Sequence, residues 1–428
     1  MARIYTPKDA HVLMNELVKQ ATGQQAIRVI DSSSFISAGE LVIGTGMENV
    51  YNSLSCLVGQ TWMAVRPYEA KITLFQAANT DLYTSRMRKI SYYAKNALPS
   101  GWFNTDLYTN LKNGYTNGQN TAADPHSTKS MWEQDQNIMM EMFFGGSSTW
   151  QDCITRYDNQ VKTALRNEDE FIRLINGMLV EKYNDVASQK EAYNRMVLLN
   201  AMATRYLLTN NGAIANGAIN LTAAFNAKFG TEYTSQQLRT TYLTDFLSFL
   251  VSTIKQYSNL LTHRSLNFHW SPDKNVDGTD YYLLRHTPKN KQKLMMYEPL
   301  FIEATAQVLP EIFNPEYLKI ENYEGVDYWQ ALEGGLTNNP AMNVIPAIPD
   351  TDSDSPTYGT QIQGDAVNIP YVVGFLFDDD AIMTDFQFEG AASTGLEARK
   401  GYRNTWLTFA KNGLNDATEN AILFYMAD

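Results

Sequence analysis

Between positions 154 and 183 apolar residues recur at three- and four-residue spacing: Ile154, Tyr157, Val161, Ala164, Phe171, Ile172, Ile175, Leu179 and Tyr183. That is the spacing of helices with one buried face. Asn167 followed by "EDEF" supplies an N-cap and puts acids in a first turn, so one helix is expected to end near Arg166 and a longer one to run from about Glu168 toward Tyr206. Such a spine would be about fifty ångströms long. The weak segment "TNNGAIANGAINLT" then interrupts before a second helical pattern, "YLTDFLSFLVSTIKQYSNLL". At the start of the chain Val12, Leu13 and Leu17 mark a short amphipathic helix, followed by the Gly-punctuated "FISAGELVIGTGMENVYNSL". With no obvious core of its own, residues 1–64 read as an arm.

Residues 65–146 are polar and rich in Tyr, Asn and Thr, with an expected strand "EAKITLFQA" and a turn-rich loop "NGYTNGQNTAADPHST". Such a stretch buries little apolar surface alone, so it is expected to project as a long loop or hairpin that packs on something else. In the last third "FHWSPDKNVDGTDYYLLRH" is a hairpin candidate and "LMMYEPLFIEATAQVL" reads as a helix. A Pro- and Asp-rich loop, "NPAMNVIPAIPDTDSDSPTYGT", lies inside the final mixed part. The class is α+β, with no internal repeat and no alternating βα pattern.

Composition narrows the picture. A chain of 428 residues that is 44% hydrophobic can bury a large core, and its net charge of -12 argues against bulk affinity for nucleic acid. Cys56 and Cys153 are isolated, forming neither a disulfide framework nor a metal pair, which suits a reducing cytoplasm. The opening "MARIYTPKDAHVLMNELVKQ" is too broken by Lys8, Asp9, His11 and Glu16 for a signal peptide, and no segment has the pattern of a membrane span.

The search for chemistry starts at "FDDDAIM", where Asp378, Asp379 and Asp380 follow the apolar run "YVVGFL". Three carboxylates at a strand end would suit a Mg²⁺ or acid-base site. Consecutive residues of an extended chain point to alternate sides, however, so at most two converge. No basic residue lies nearby in sequence, which favours a structural strand end with Asp379 capping the turn. "DKNVDGTDYYLL" matches the first half of an EF-hand through Asp273, Asn275, Asp277 and Gly278, then fails at Leu284, leaving a hairpin turn on Asp277-Gly278. Asp350, Asp352 and Asp354 lack the glycine turn and read as a solvated loop; His263 and His269 lack a third ligand and read as surface or interface histidines. There is no P-loop, Rossmann fingerprint or nucleophile elbow. No catalytic, cofactor or metal residue is assigned.

Charge placement says more. From Ile320 to Ala398 there are fourteen Asp and Glu and no Lys or Arg, whereas Arg66 to Lys95 carries six basic residues against two acids. A basic projecting hairpin and a separate acidic region suggest that one copy lies on another. The candidate intersubunit contacts are Arg66, Lys71, Arg86, Arg88 and Lys89, with Asp378, Asp379 and Asp380 on the acidic side.

This order of parts, together with "VVGFLFDDDAIMTDFQFEG" and "LEARKGYRNTWLTFAKNGLNDATENAILFYMAD" at the end and "KLMMYEPLFIEATAQVLPEIFNPEYLKI" before it, resembles the major capsid proteins of tailed bacteriophages with the Hong Kong 97 fold, closest to the short-tailed podovirus type. The resemblance implies an N-terminal arm (1–64), an extended loop (65–146), a peripheral domain with the spine helix (147–240), an axial domain with loop insertions (241–370) and a C-terminal return to the peripheral domain (371–428). It implies a structural protein, not an enzyme, that forms hexamers and pentamers closing into an icosahedral shell around double-stranded DNA, with no sequence-specific binding, no cofactor and no membrane. Portal and scaffolding proteins are the further partners implied, with assembly in the host bacterial cytoplasm and a final place in the virion. The alternative is a glycoside hydrolase or carbohydrate-binding protein using the acids and the 12% aromatic content.

Overall fold

The computed structural model describes residues 7–23, 28–46, 48–50, 52–54, 71–75, 87–95, 138–144, 148–272, 274–276, 279–300, 302, 322–330 and 340–428. The helices are α1 (Pro7–Thr22), α2 (Ser32–Gly44), α3 (Asp158–Ala164), α4 (Glu168–Asn210), α5 (Leu221–Phe229), α6 (Ser235–Thr240) and α7 (Leu243–Leu260). The strands before the final third are β1 (Met87–Tyr92), β2 (Ala94–Lys95), β3 (Met139–Phe144), β4 (Ser148–Tyr157), β5 (Ala218–Asn220), β6 (Lys274–Val276), β7 (Thr279–Tyr282) and β8 (Gln292–Tyr297). Then come β9 (Asn322–Val326), β10 (Met342–Val344), β11 (Ala347–Pro349), β12 (Gln361–Gln363), β13 (Val367–Ile369), β14 (Tyr371–Asp378), β15 (Ile382–Ser393), β16 (Tyr402–Asn415) and β17 (Ala421–Met426). The class is α+β. The chain divides into two compact units, one of residues 1–71, 146–193 and 385–412, the other of residues 72–145, 194–384 and 413–428. The stretch 371–428 therefore gives its middle to the first unit and both ends to the second.

In the first unit α1 buries Ala10, Leu13, Met14, Leu17 and Val18, the i, i+3, i+4 stripe of an amphipathic helix, while Val12 faces solvent. These pack with Phe35, Ala38 and Val42 of α2, Phe171 and Ile172 of α4, and Ile154, Leu407 and Phe409 of the sheet. The first sixty residues, expected to have no obvious core of their own, share one with residues more than a hundred positions downstream. Asp31 caps α2, accepting from the Ser34 amide at 2.8 Å, while the Ser34 hydroxyl accepts from the Asp31 amide at 3.0 Å. Gly39 passes so close to the turn after α3 that a Cβ would sit 2.0 Å from the Leu165 carbonyl oxygen.

Ile154 and Tyr157, expected on a helix, lie in β4, which pairs antiparallel with β16 from Tyr402↔Tyr157 to Lys411↔Ser148. Their spacing fits a helix, but Thr149, Trp150, Ile154, Thr155 and Tyr157 are strand formers and the distant partner strand decides. The sheet order is β15-β16-β4. The spine expectation holds more closely: α4 starts at Glu168, the Asn167 side chain accepts from the Asp169 amide at 3.1 Å, and the helix runs 43 residues, about 65 Å. Its residues 168–193 belong to the first unit and 194–210 to the second.

The second unit is built on a five-stranded sheet, β5-β17-β14-β8-β9, with β17 parallel to β5, β8 parallel to β9 and the other pairs antiparallel. Every residue of β14 is buried, which explains its continuous apolar run. Gly374 stands at an irregularity of that strand, where a Cβ would meet the Met295 carbonyl at 2.9 Å. "LMMY", expected to open a helix, is strand β8; a short buried apolar run has no period to distinguish the two. Within "EAKITLFQA" the described residues 71–75 are not a strand, and Ile72 has a φ of 72°. The weak segment at 209–222 ends in β5, after which Asn220 caps α5 through the Thr222 amide at 3.1 Å. The expected hairpin forms from β6 and β7, with Val276 opposite Thr279. In the acidic loop β10 pairs with β13 and β11 with β12.

Candidate subunit interface

The two strands β1 and β3 form an antiparallel ribbon of their own, from Met87↔Phe144 to Tyr92↔Met139. Strand alternation puts Arg88, Ile90, Tyr92, Met139, Glu141 and Phe143 on one face and Lys89, Ser91, Met140 and Met142 on the other. The first face is open: Ile90 is 44% exposed, Tyr92 63%, Met139 54% and Phe143 58%. Arg88 and Glu141 form an ion pair between these apolar side chains.

The second face is tied to the chain's own C-terminal turn. Lys89 Nζ lies 2.6 Å from Asp416 Oδ2 and 2.6 Å from Glu419 Oε1. Arg285 donates to the Ser91 hydroxyl at 2.7 Å and to the Thr418 carbonyl at 3.1 Å, and also meets Glu419 Oε1 at 3.1 Å. From α4, the buried Arg205 donates to the main-chain oxygens of Asp416, Ala417 and Glu419 at 2.7, 2.5 and 3.0 Å. Asp416 Oδ1 accepts from the Thr418 amide at 2.8 Å and its hydroxyl at 2.7 Å. The turn between β16 and β17 cannot use ladder hydrogen bonds, so its carbonyls draw on side-chain donors, with the Trp270 amide a further donor to Ala417 at 2.9 Å. Burial pushes the Glu419 carboxyl up, opposed by Lys89 and Arg285. Burial also lowers the Arg205 guanidinium to about 10, opposed by Asp416 and Glu419, which leaves it charged at neutral pH. Sequence reading missed Arg205, Arg285, Asp416 and Glu419. The available signals were one arginine within the apolar "NAMATRYLLTN" and acids between two apolar strands in "NDATENAILF".

The acidic trio is also answered within the chain. Asp378 is buried and accepts from the Asp380 amide at 2.9 Å, so it, and not Asp379, caps the turn. Asp379 pairs with Lys293, and Asp380 lies 3.5 Å from Lys291. Asp378 stands opposite Gln292 across the β14–β8 pair, which is why the two lysines flanking Gln292 reach its neighbours. The cations absent from the neighbouring sequence are Lys293 of β8 and Lys291 just before that strand, over eighty residues upstream. Asp350 is buried and accepts from the Asp352 amide at 3.1 Å and the Thr357 hydroxyl at 2.7 Å, ordering the acidic loop from within. Among the described residues no group of three His, Cys, Asp or Glu is placed to hold a metal ion. Arg66, Arg86, Cys56, Asp273, Asp277, Gly278 and the loop "NGYTNGQNTAADPHST" lie outside the described residues; Lys71 is described and exposed.

His269, expected at a surface or interface, is buried in the second unit. Nε2 lies 2.5 Å from the Leu283 carbonyl and Nδ1 3.0 Å from the Asn420 side-chain amide. The Asn420 side-chain oxygen is the atom facing Nδ1, while its NH₂ donates to the Thr287 hydroxyl at 3.1 Å, so both ring nitrogens face oxygen acceptors and a neutral ring can donate to only one of them. Burial, reinforced by the charges of Arg285 and Arg205, lowers its pKa to about 4.

No protein-family model matches the chain, and no curated protein does either. Among solved structures the chain is similar to the capsid of Staphylococcus phage Andhra, with 11% identity, a TM-score of 0.47 and coverage of 82% of this chain and 83% of that one. It is similar to a chain in the structure of the head fiber and inner core protein gp22 of native bacteriophage P68, with 11% identity, a TM-score of 0.45 and coverage of 82% and 83%. For the capsid of cyanophage P-SCSP1u the values are 12%, 0.40, 83% and 87%.

Proposed function

We propose that the chain is a structural major capsid protein of the Hong Kong 97 type, whose copies form hexamers and pentamers and close an icosahedral shell around packaged double-stranded DNA. The observation that carries this reading is the β1–β3 ribbon. One face is pinned to the chain's own C-terminal turn by Lys89 and Ser91, while the other leaves four large apolar side chains in water. A two-stranded ribbon with an uncovered apolar face is marginal alone and calls for a partner surface. In this reading residues 1–64 are the arm, 65–146 the extended loop, 147–240 the peripheral domain with the spine helix, 241–370 the axial domain and 371–428 the return to the peripheral domain.

The long helix and the return of the chain end to both units support the same assignment. Arg66, Lys71, Arg86 and Arg88 then meet the acidic 320–398 surface of a neighbouring copy, while Lys89 and Asp378 serve inside their own subunit. Portal and scaffolding proteins are further partners, the host bacterial cytoplasm is the place of assembly and the virion the destination. The coat's net negative charge lets it enclose DNA without gripping it.

The test is the double variant Ile90→Asp with Phe143→Asp, followed by negative-stain microscopy and sedimentation. Folded subunits that no longer form rings or shells are expected; shells at wild-type yield would remove the basis of the reading.

A further inference from the structure

Three consecutive main-chain N–H groups converge on one side chain. The Glu324 carboxylate accepts from the Ile72 amide at 2.5 Å, from the Thr73 amide at 3.1 Å on each oxygen, and from the Leu74 amide at 2.8 Å. Glu324 is fixed on β9, opposite Met295 of β8. Ile72 has a φ of 72°, the left-handed region, where a β-branched side chain crowds its own backbone. Its side chain is buried, its carbonyl accepts from Asn194 Nδ2 at 2.9 Å, and three residues on the Phe75 carbonyl accepts from the Thr384 amide at 3.2 Å. A relaxed φ at Ile72 would turn its N–H away from the others and break the convergence. The strained residue and the carboxylate therefore depend on each other. Successive N–H groups arranged around a left-handed residue form a concavity that binds anions.

We propose that the main chain of residues 72–74 is an anion-binding nest, that Glu324 fills it as a tethered ligand and so holds Ile72 in its left-handed conformation, and that the nest takes a free small carboxylate once that side chain is removed. The binding claim stands on the geometry alone. Its consequence, that the pin fixes where the ribbon-bearing stretch leaves its domain, rests on the capsid reading above.

The experiment uses the full chain as wild type, Glu324→Ala, Glu324→Gln, Ile72→Gly and the Ile72→Gly/Glu324→Ala double variant. Melting temperature and the rate of tryptic cleavage after Lys71 are followed during a sodium formate titration, with sodium chloride at matched ionic strength as control. Glu324→Ala is expected to melt lower and to be cut after Lys71 roughly tenfold faster, as local opening becomes easier. Formate should reverse both changes saturably in that variant, leaving the wild type unmoved, and chloride should not. Glu324→Gln, with an NH₂ facing an N–H, should fall between. Ile72→Gly should raise the wild-type melting temperature, because glycine adopts this φ without a clash, and should recover part of the loss in the double variant. Should Glu324→Ala be insoluble, Glu324→Gln and Ile72→Gly decide the matter. An unchanged Glu324→Ala, a rescue equal in chloride, or a destabilised Ile72→Gly overturns the proposal. None of these outcomes bears on whether shells form, which microscopy reports separately.

Discussion

Arg205 donates to the main-chain oxygen of Ala417 at 2.5 Å, and the same guanidinium serves the carbonyls of Asp416 and Glu419. One side chain of the long helix thus satisfies three carbonyls of a turn more than two hundred residues away. Arg205→Met would take the guanidinium donor from all three oxygens, leaving Ala417 only the Trp270 amide and Asp416 only the Glu419 amide at 3.4 Å, at a cost of about 3 kcal/mol or more. Arg205→Lys should recover only a part, since an ammonium lacks the planar fork that spans three acceptors. Urea unfolding of the second unit's transition reads both; a fully stable Arg205→Lys would show that charge alone is enough.

His269 predicts an acid limb of stability. The folded protein keeps the ring neutral down to about pH 4, whereas the unfolded chain takes up the proton near its ordinary value of 6.5. Stability from this group is present above pH 6.5 and lost as pH falls toward 4, on the order of 3 kcal/mol in all. His269→Gln removes the titration, so the gap between wild type and variant should narrow as the solution is acidified across that window. A gap independent of pH would refute the assignment.

Gly39 predicts a clash that side-chain movement cannot relieve, because the atom in the way is a backbone oxygen. Gly39→Ala must separate α2 from the turn after α3, opening the core around Phe35 and Phe171, whose rings meet edge-on at 5.7 Å. A loss of about 2 kcal/mol or more is expected despite alanine's better helix propensity. Thermal unfolding that is unchanged or improved would mean that the helix shifts at no cost.

The acidic trio predicts three unequal residues. Asp378→Ala removes a buried cap from the turn after β14 and should cost about 1 kcal/mol or more. Asp379→Asn and Asp380→Asn loosen pairs at the surface and should each change stability by less than about 1 kcal/mol. Calorimetry should find no stoichiometric Mg²⁺ or Ca²⁺ binding that disappears in the triple Asn variant. Such binding, with a hydrolytic activity lost alongside it, would restore the enzyme alternative.

The expectations that held are those with a local cause. Asn167 and the three acids after it start α4 where they stand, because a helix terminus needs acceptors for its first N–H groups and these are neighbours in sequence. The β6–β7 pairing is likewise expected from one contiguous stretch, its two strands lying only a few residues apart. The candidate site was half legible: alternation along β1 and β3 follows from the pleat once the pairing is known, but the pairing joins residues separated by some fifty positions.

By itself, the sequence determined the α+β class, the start of the long helix, the burial of "YVVGFLF" and the clustering of acid in 320–398. Each of these depends on propensity, capping, hydropathy or charge carried by contiguous residues. Only the tertiary structure decided that Ile154 and "LMMY" are strand, that α1 and α2 belong to a core, that Lys89 points inward to Asp416 and Glu419, and that Asp379 and Asp380 have lysines beside them. These outcomes turn on pairings between distant segments. A strand's partner, a buried charge's counter-ion and a buried carbonyl's donor are set by where the chain brings them together, and that proximity is not written in the order of the residues.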